Sequence, residues 1–321
     1  MASEIVLGPS VFAYYPNIEG RQILLLGEFH VNQHSKLPST ELTVHPIHQW
    51  LYRIATQTNQ ELELYVEAPL SVTVTPMVPM TIGEQPLPPE KRPLESYLTI
   101  MTSVTERFGY QLDLPDNHHH PDLPKVIYHQ VDVRQYQHRP NTLILLIPVA
   151  LDPPTQIRNT YGPHKRGLFE YILGYNVGKQ IFHQYLRDMC KFGKLSYKRT
   201  RIEKMMHKYL FLIQRELSNL SSNLDKTQFM NTLLEVAVNM DAPDLFLELH
   251  LIQMDAYCLI KMFSNTPIRK ALVYTGINHT RFYLRFIEQF FHLTPSIAQT
   301  TQTIDDPQYV VIPQSIISQF K

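Results

Sequence analysis

The chain has 321 residues, 44% of them hydrophobic, enough to bury a sizeable core. Its 29 basic and 29 acidic residues balance, which argues against nucleic acid or an anionic membrane as the main partner. Only two cysteines occur, Cys190 and Cys258, and neither belongs to a CxxC; this argues against a disulfide framework or a structural zinc site and suits a reducing compartment.

The opening MASEIVLGPS has no basic region followed by an apolar run, so it does not read as a signal peptide. The longest apolar stretch, Leu143 to Leu151, contains Pro148 and is too short to span a bilayer. These features lead to the expectation of a cytoplasmic protein with no membrane partner.

In chain order, the first apolar run is Ile23 to Leu26, followed by Gly27-Glu28-Phe29-His30. A helical pattern follows at His45 to Gln57. The next run is Leu62 to Val66, ending in Glu67. A third, Val126 to Val133, ends at Arg134. Helical periodicity then covers Arg199 to Leu220, Thr227 to Met240 and Asp244 to Phe263. The run Ala271 to Thr275 ends in Gly276-Ile277-Asn278-His279, with a helix predicted from Thr280 to Phe291 and a late strand at Tyr309 to Ile312. β-Branched and aromatic content favours strands for the short runs. Strands alternating with helices predict an α/β fold with a mostly parallel sheet covered on both faces. The expected organisation is one α/β domain over residues 1–321. Two insertions interrupt it: a Pro-rich loop at 70–124, where seven prolines fall between Pro69 and Pro93, and a helical insertion at 165–264.

Four predicted strands end in polar groups. Ligands of open α/β sheets bind at the carboxyl ends of the strands, so these ends form one pattern. Glu28 and His30 stand two apart and share a side if the strand extends that far. Gly27 and Gly276 allow close approach of backbone or ligand, and the spacing Gly27-x-x-His30 recurs as Gly276-x-x-His279. His279 precedes a predicted helix, whose positive end disfavours imidazolium. Asp132 beside Arg134 would hold a guanidinium suited to a planar anion. Two histidines with Glu28 and Glu67 suit a divalent ion such as Zn, Mn or Co, which activates bound water. Without a metal, a histidine activates water directly, with Glu67 or Glu28 orienting it.

GEFH after the first strand, Glu ending the second, D-x-R ending the third and G-x-x-H after the last together resemble the superfamily of Tiki-type proteases, TraB-like proteins, ChaN-like haem-binding proteins and erythromycin esterases. The stretches MDAYCLIKMF and VYTGINHTRFYLRFI are similar to uncharacterised members from large DNA viruses, which implies host cytoplasm or virion as location. The resemblance implies an α/β fold with a helical insertion before the last strands. It makes Glu28, His30, Glu67 and His279 the catalytic or metal-binding groups, with Asp132 and Arg134 as the D-x-R pair. The superfamily's chemistry varies: metal-dependent proteolysis, metal-free ester hydrolysis and haem binding all occur. The leading expectation is therefore a hydrolase of a small-molecule or peptide substrate. The competing one is a non-enzymatic haem- or ligand-binding, or structural, protein on the same fold. The sequence contains no GxSxG, HExxH, Walker A or GxGxxG. His118, His119 and His120 are expected to form a solvated turn, and the eight basic residues between Arg187 and Lys208 a solvated helix face.

Overall fold

A tight reversal between two strands begins the fold. Strand β1 (Glu4–Leu7) is followed by β2 (Val11–Ile18), which returns as β3 (Arg21–Glu28). Glu19 and Gly20 both take positive φ, 52° and 79°, the backbone of the two-residue hairpin whose twist matches its strands. Asn17 Oδ1 accepts the Gly20 N–H at 2.8 Å. The β2–β3 register slips between Tyr15 and Ile18, beside Pro16, which has no N–H to give the ladder.

The structure is a computed structural model that describes residues 3–29, 42–67, 81–82, 85–86, 118–120, 123–131, 155–192, 199–240, 245–300 and 308–321. His30, Asp132, Arg134, Leu143–Leu151 and nearly all of the 70–124 insertion lie outside them. Contacts group the chain into two compact units: Met1–Asp132 with Ile268–Arg281 and Thr294–Lys321, and Val133–Pro267 with Phe282–Leu293.

In the first unit, β4 (Thr43–Pro46) runs into helix α1 (Ile47–Gln57), and β5 (Leu62–Val66) follows. A two-residue hairpin, β6 (Thr81–Ile82) and β7 (Gln85–Pro86), precedes β8 (His118–His120) and β9 (Leu123–Gln130). Strand β10 (Lys270–Gly276) returns after a long excursion. Then come β11 (Ile297–Thr300), β12 (Tyr309–Ile312) and a closing helix of residues Gln314–Phe320. Seven strands form one sheet in the order β11-β2-β3-β10-β5-β9-β8. Its four central strands, β3, β10, β5 and β9, are parallel, and the outer pairs are antiparallel. The alternation of elements thus corresponds to an α/β fold built around a parallel sheet centre.

Period-two alternation sends Leu24, Leu26, Leu62, Leu64, Val66, Leu272 and Tyr274 to one face, where Trp50, Leu51 and Ile54 of α1 and Ile316, Ile317 and Phe320 of the closing helix cover them. A second sheet, β12-β1-β4, edges this core. There Glu4 meets Arg53 and Trp50: Arg53 Nη1 donates to Oε1 at 2.9 Å, its Nη2 donates to Oε2, and Trp50 Nε1 donates to Oε2 at 3.1 Å. Burial pushes the Glu4 carboxyl up. The hydrogen bonds and charge of Arg53, with His45 and the Trp50 N–H, outweigh burial and hold the carboxyl below its ordinary range.

The second unit is helical: α2 (Thr155–Tyr161), α3 (Lys165–Ile172), α4 (Lys179–Phe192), α5 (Arg199–Leu217), α6 (Lys226–Val238) and α7 (Leu245–Met262). Asp225 caps α6 by accepting the Thr227 and Gln228 N–H groups at 2.8 and 3.0 Å. Lys165 pairs with Glu248, and Lys261 and Arg215 with Glu216. The helical segment read at 165–264 falls in this unit. Neither cysteine forms a disulfide, and both are buried. No described helix is long and apolar enough to cross a membrane.

Two local readings change. His118–His120 is not a turn: its backbone pairs with β9, so ladder hydrogen bonds override the weak strand propensity of three polar residues. His279 lies within helix α8 (Ile277–Phe291) rather than before it, because the helix starts directly at the end of β10.

Candidate functional site

Three neighbouring parallel strands end together. Strand β10 lies between β3 and β5, with Gly276 in register with Glu28, and Tyr274 in register with both Leu26 and Val66. Glu28, Gly276 and Glu67 therefore close adjacent strands on the same edge, the carboxyl edge where α/β sheets place their ligands.

Glu67 adds one rung to the ladder, its N–H donating to the Tyr274 carbonyl at 3.0 Å. The next rung of a parallel pair would run from the Gly276 N–H to the Glu67 carbonyl. Instead the Gly276 N–H donates to the Glu67 side chain, Oε2, at 2.8 Å. The carboxylate's other oxygen, Oε1, stands 3.5 Å from His279 Nε2. Both residues are buried, Glu67 at 6% exposure and His279 at 4%.

The helix that carries His279 is fixed by Thr280. Its hydroxyl bonds the Thr275 hydroxyl at 3.0 Å and reaches the Leu26 carbonyl at 3.4 Å. This approach is open only because residue 27 is glycine: a Cβ there would stand 2.6 Å from Thr280 Oγ1 and 2.8 Å from its Cβ. Arg281 lies over the Phe29 ring, 6.0 Å from its centroid, and ties the same turn to the end of β3. Gly27 thus works by clearance for a protein side chain, and that clearance holds His279 over Glu67.

Glu28, 3% exposed, has a different partner: its Oε2 accepts the hydroxyl of Tyr274. Alternation places Glu28 on the face of Leu24 and Leu26, against the apolar cluster. The structure joins Glu67, Gly276 and His279, and couples Glu28 to Tyr274. His30, Asp132 and Arg134 are outside the described residues. Among the described residues, no three His, Cys, Asp or Glu side chains gather closely enough to hold a metal ion.

A further buried polar group escaped the sequence reading. Glu63, in mid-strand on the opposite face, receives Arg21 Nη1 at 3.2 Å and the Tyr65 hydroxyl at 3.1 Å, with His129 Nε2 at 3.5 Å. The His129 ring stacks on Tyr65 at 4.4 Å. Arg21 crosses β10 to reach Glu63, and the β10 residue in register with Glu63 is Ala271, small enough to pass. The readable signal was Glu63 two residues from Tyr65 inside an otherwise apolar strand. Paired in this way, the buried charges offset much of their desolvation cost.

The fold and site define an α/β protein with a buried imidazole–carboxylate pair at the carboxyl edge of its parallel strands. Comparison with protein-family models, curated proteins and solved structures gave no match.

Proposed function

We propose that the protein is a hydrolase that activates water at His279, with Glu67 as the carboxylate that orients the imidazole. The observation that carries this reading is the Glu67 carboxylate, held between the Gly276 N–H and His279 Nε2. A carboxylate anchored by backbone fixes the ring and stabilises the imidazolium formed when the ring takes a proton from water. The water oxygen then attacks an ester or amide carbonyl of a small-molecule or peptide substrate, and the imidazolium returns its proton to the alcohol or amine that leaves as the C–O or C–N bond breaks. Arg134, which the D-x-R pattern pairs with Asp132, is the candidate for stabilising the negative charge that develops. The strand-end resemblance to the Tiki, TraB and erythromycin esterase superfamily supports the same reaction class. Two cysteines that form no disulfide agree with action in a reducing compartment, host cytoplasm or virion.

The same two atoms also fit a divalent ion. A tetrahedral ion with bonds of about 2.0–2.2 Å sets its donors roughly 3.4 Å apart, and Glu67 Oε1 and His279 Nε2 are 3.5 Å apart. Glu67 and His279 would hold the ion, with His30 the further ligand that the resemblance implies. Such an ion makes bound water more acidic.

The test is turnover of a chromogenic acetate ester and of a fluorogenic peptide library, by protein stripped with chelator and by protein loaded with Mn, Co or Zn. His279→Ala is expected to lose about 10²–10⁴ in rate, and Glu67→Gln a substantial part of it, with both variants folded by circular dichroism. Activity surviving chelation assigns water activation to the histidine. Activity lost on chelation and restored by an ion assigns it to the metal. Wild-type turnover in His279→Ala defeats the proposal, as does absence of turnover in every form.

A further inference from the structure

The opposite edge of the same sheet carries a cleft of about 540 Å³, within the range of small-molecule sites. It opens beside the amino-terminal ends of β3 and β10, under the β2–β3 turn and next to the closing helix. Among the described residues its lining includes three cations, Arg269, Lys270 and Lys321, with the amides of Gln22 and Gln319, and no acidic side chain.

Lys270 is the informative residue. It is only 7% exposed, yet among the described residues its ammonium makes no hydrogen bond or ion pair. Burial pushes it below the ordinary lysine value, with no neighbouring charge in opposition. Among the described residues the other buried lysine, Lys261 in the helical unit, has Glu216 at 2.8 Å; Lys270 has no such counterion. The stem of Lys270 is covered, while its ammonium opens onto the cleft rather than onto a protein partner. The cleft walls are fixed. Gln319 Oε1 accepts from Gln22 Nε2 at 3.1 Å and from the Tyr14 hydroxyl. The Arg269 carbonyl accepts the Gln22 N–H at 2.7 Å. A Cβ at Gly20 would stand 3.4 Å from Arg269 Nη1, so the hairpin tip fits closely against the guanidinium.

We infer that this cleft binds a small oxyanion, a phosphate- or carboxylate-bearing molecule, with the Lys270 ammonium as the counter-charge on its wall and Arg269 at the mouth. The anion neutralises an ammonium that the protein leaves without a partner, and the guanidinium adds planar, paired donors. This site is separate from the Glu67–His279 edge and does not rest on the hydrolase reading.

The experiment is calorimetric titration with inorganic phosphate, pyrophosphate and citrate at constant ionic strength set by chloride, with thermal unfolding in parallel. Wild type is expected to bind at least one of the three saturably, and to unfold at a higher temperature when it does. Phosphate or pyrophosphate as the tighter ligand identifies a phosphorylated ligand, and citrate a carboxylate. Lys270→Met is expected to weaken binding at least tenfold and Arg269→Gln severalfold, while Glu67→Gln binds as wild type does. Without anion, Lys270→Met should unfold no lower than wild type, because it removes an unpaired charge; a structural lysine predicts the reverse. Absence of saturable binding to all three anions overturns the inference, as does equal affinity in wild type and both cleft variants.

Discussion

Gly27→Ala tests the clearance that sets the first turn of α8. The new Cβ would lie 2.6 Å from Thr280 Oγ1, 2.8 Å from its Cβ and 3.2 Å from its Cγ2. Rotating Thr280 moves the oxygen and the methyl but not its Cβ, which is fixed by the helix backbone. That gap must open from 2.8 Å to the 3.4 Å of ordinary contact, a backbone shift of about 0.6 Å. Thr280 is 1% exposed, and its hydroxyl is already engaged by Thr275. Overpacking of this kind costs about 1–3 kcal/mol, and the upper half applies because strand and helix backbone must separate. For a unit of this size, about 2–3 kcal/mol lowers Tm by roughly 4–12 °C. Thermal and urea unfolding measure it. Gly162→Ala is the control, because a Cβ there meets nothing within 4 Å; it should be neutral or stabilise by up to about 1 kcal/mol. If Gly27→Ala melts within about 1 °C of wild type, the clearance argument is wrong.

Tyr274→Phe removes the hydroxyl that donates to Glu28 and is expected to cost about 1.5–3 kcal/mol, the range for hydrogen bonds to charged groups. A double-mutant cycle with Glu28→Gln should show coupling; additive losses would mean that the two side chains do not act together. Glu4 predicts a pH dependence. Its carboxyl is held below its ordinary value of 4.5, so its contribution is complete above that pH and is lost as pH falls through the depressed value. The stability gap between wild type and Glu4→Gln should be constant near neutrality and close on acidification. A gap that persists unchanged to about pH 2, well below ordinary carboxyl values, would contradict this.

The sequence patterns that succeeded were local. The short β-branched and aromatic run Leu62–Val66 and the 3.6-residue period read over Arg199–Leu220, a helix over Arg199–Leu217, depend on a strand's apolar content or one buried helix stripe, which the sequence states directly. The repeated G-x-x-H spacing located Gly276 and His279 at one strand end, and Glu67 was visible as the acid closing another. What escaped was non-local. Strand β1 pairs with β12 from the far end of the chain, and four residues carry little pattern of their own. Tyr274 read as core, since nothing in ALVYT tells that its hydroxyl meets Glu28. Gly27 read as room for backbone or ligand, whereas the space is filled by the Thr280 side chain, more than two hundred positions away. His118–His120 acquires its extended form from β9, not from its own composition.

The place of β10 between β3 and β5 governs when the molecule can become itself. During synthesis the two flanking strands are made early, with an empty lane between them, and the strand that fills it emerges only after the helical unit has been translated. Until then each flanking strand offers a bare ladder edge, and such edges invite pairing with other chains. Nor can Glu67 meet Gly276 or His279 before that late arrival, so a nascent or truncated chain lacking it is both sticky and without the carboxylate–imidazole pair.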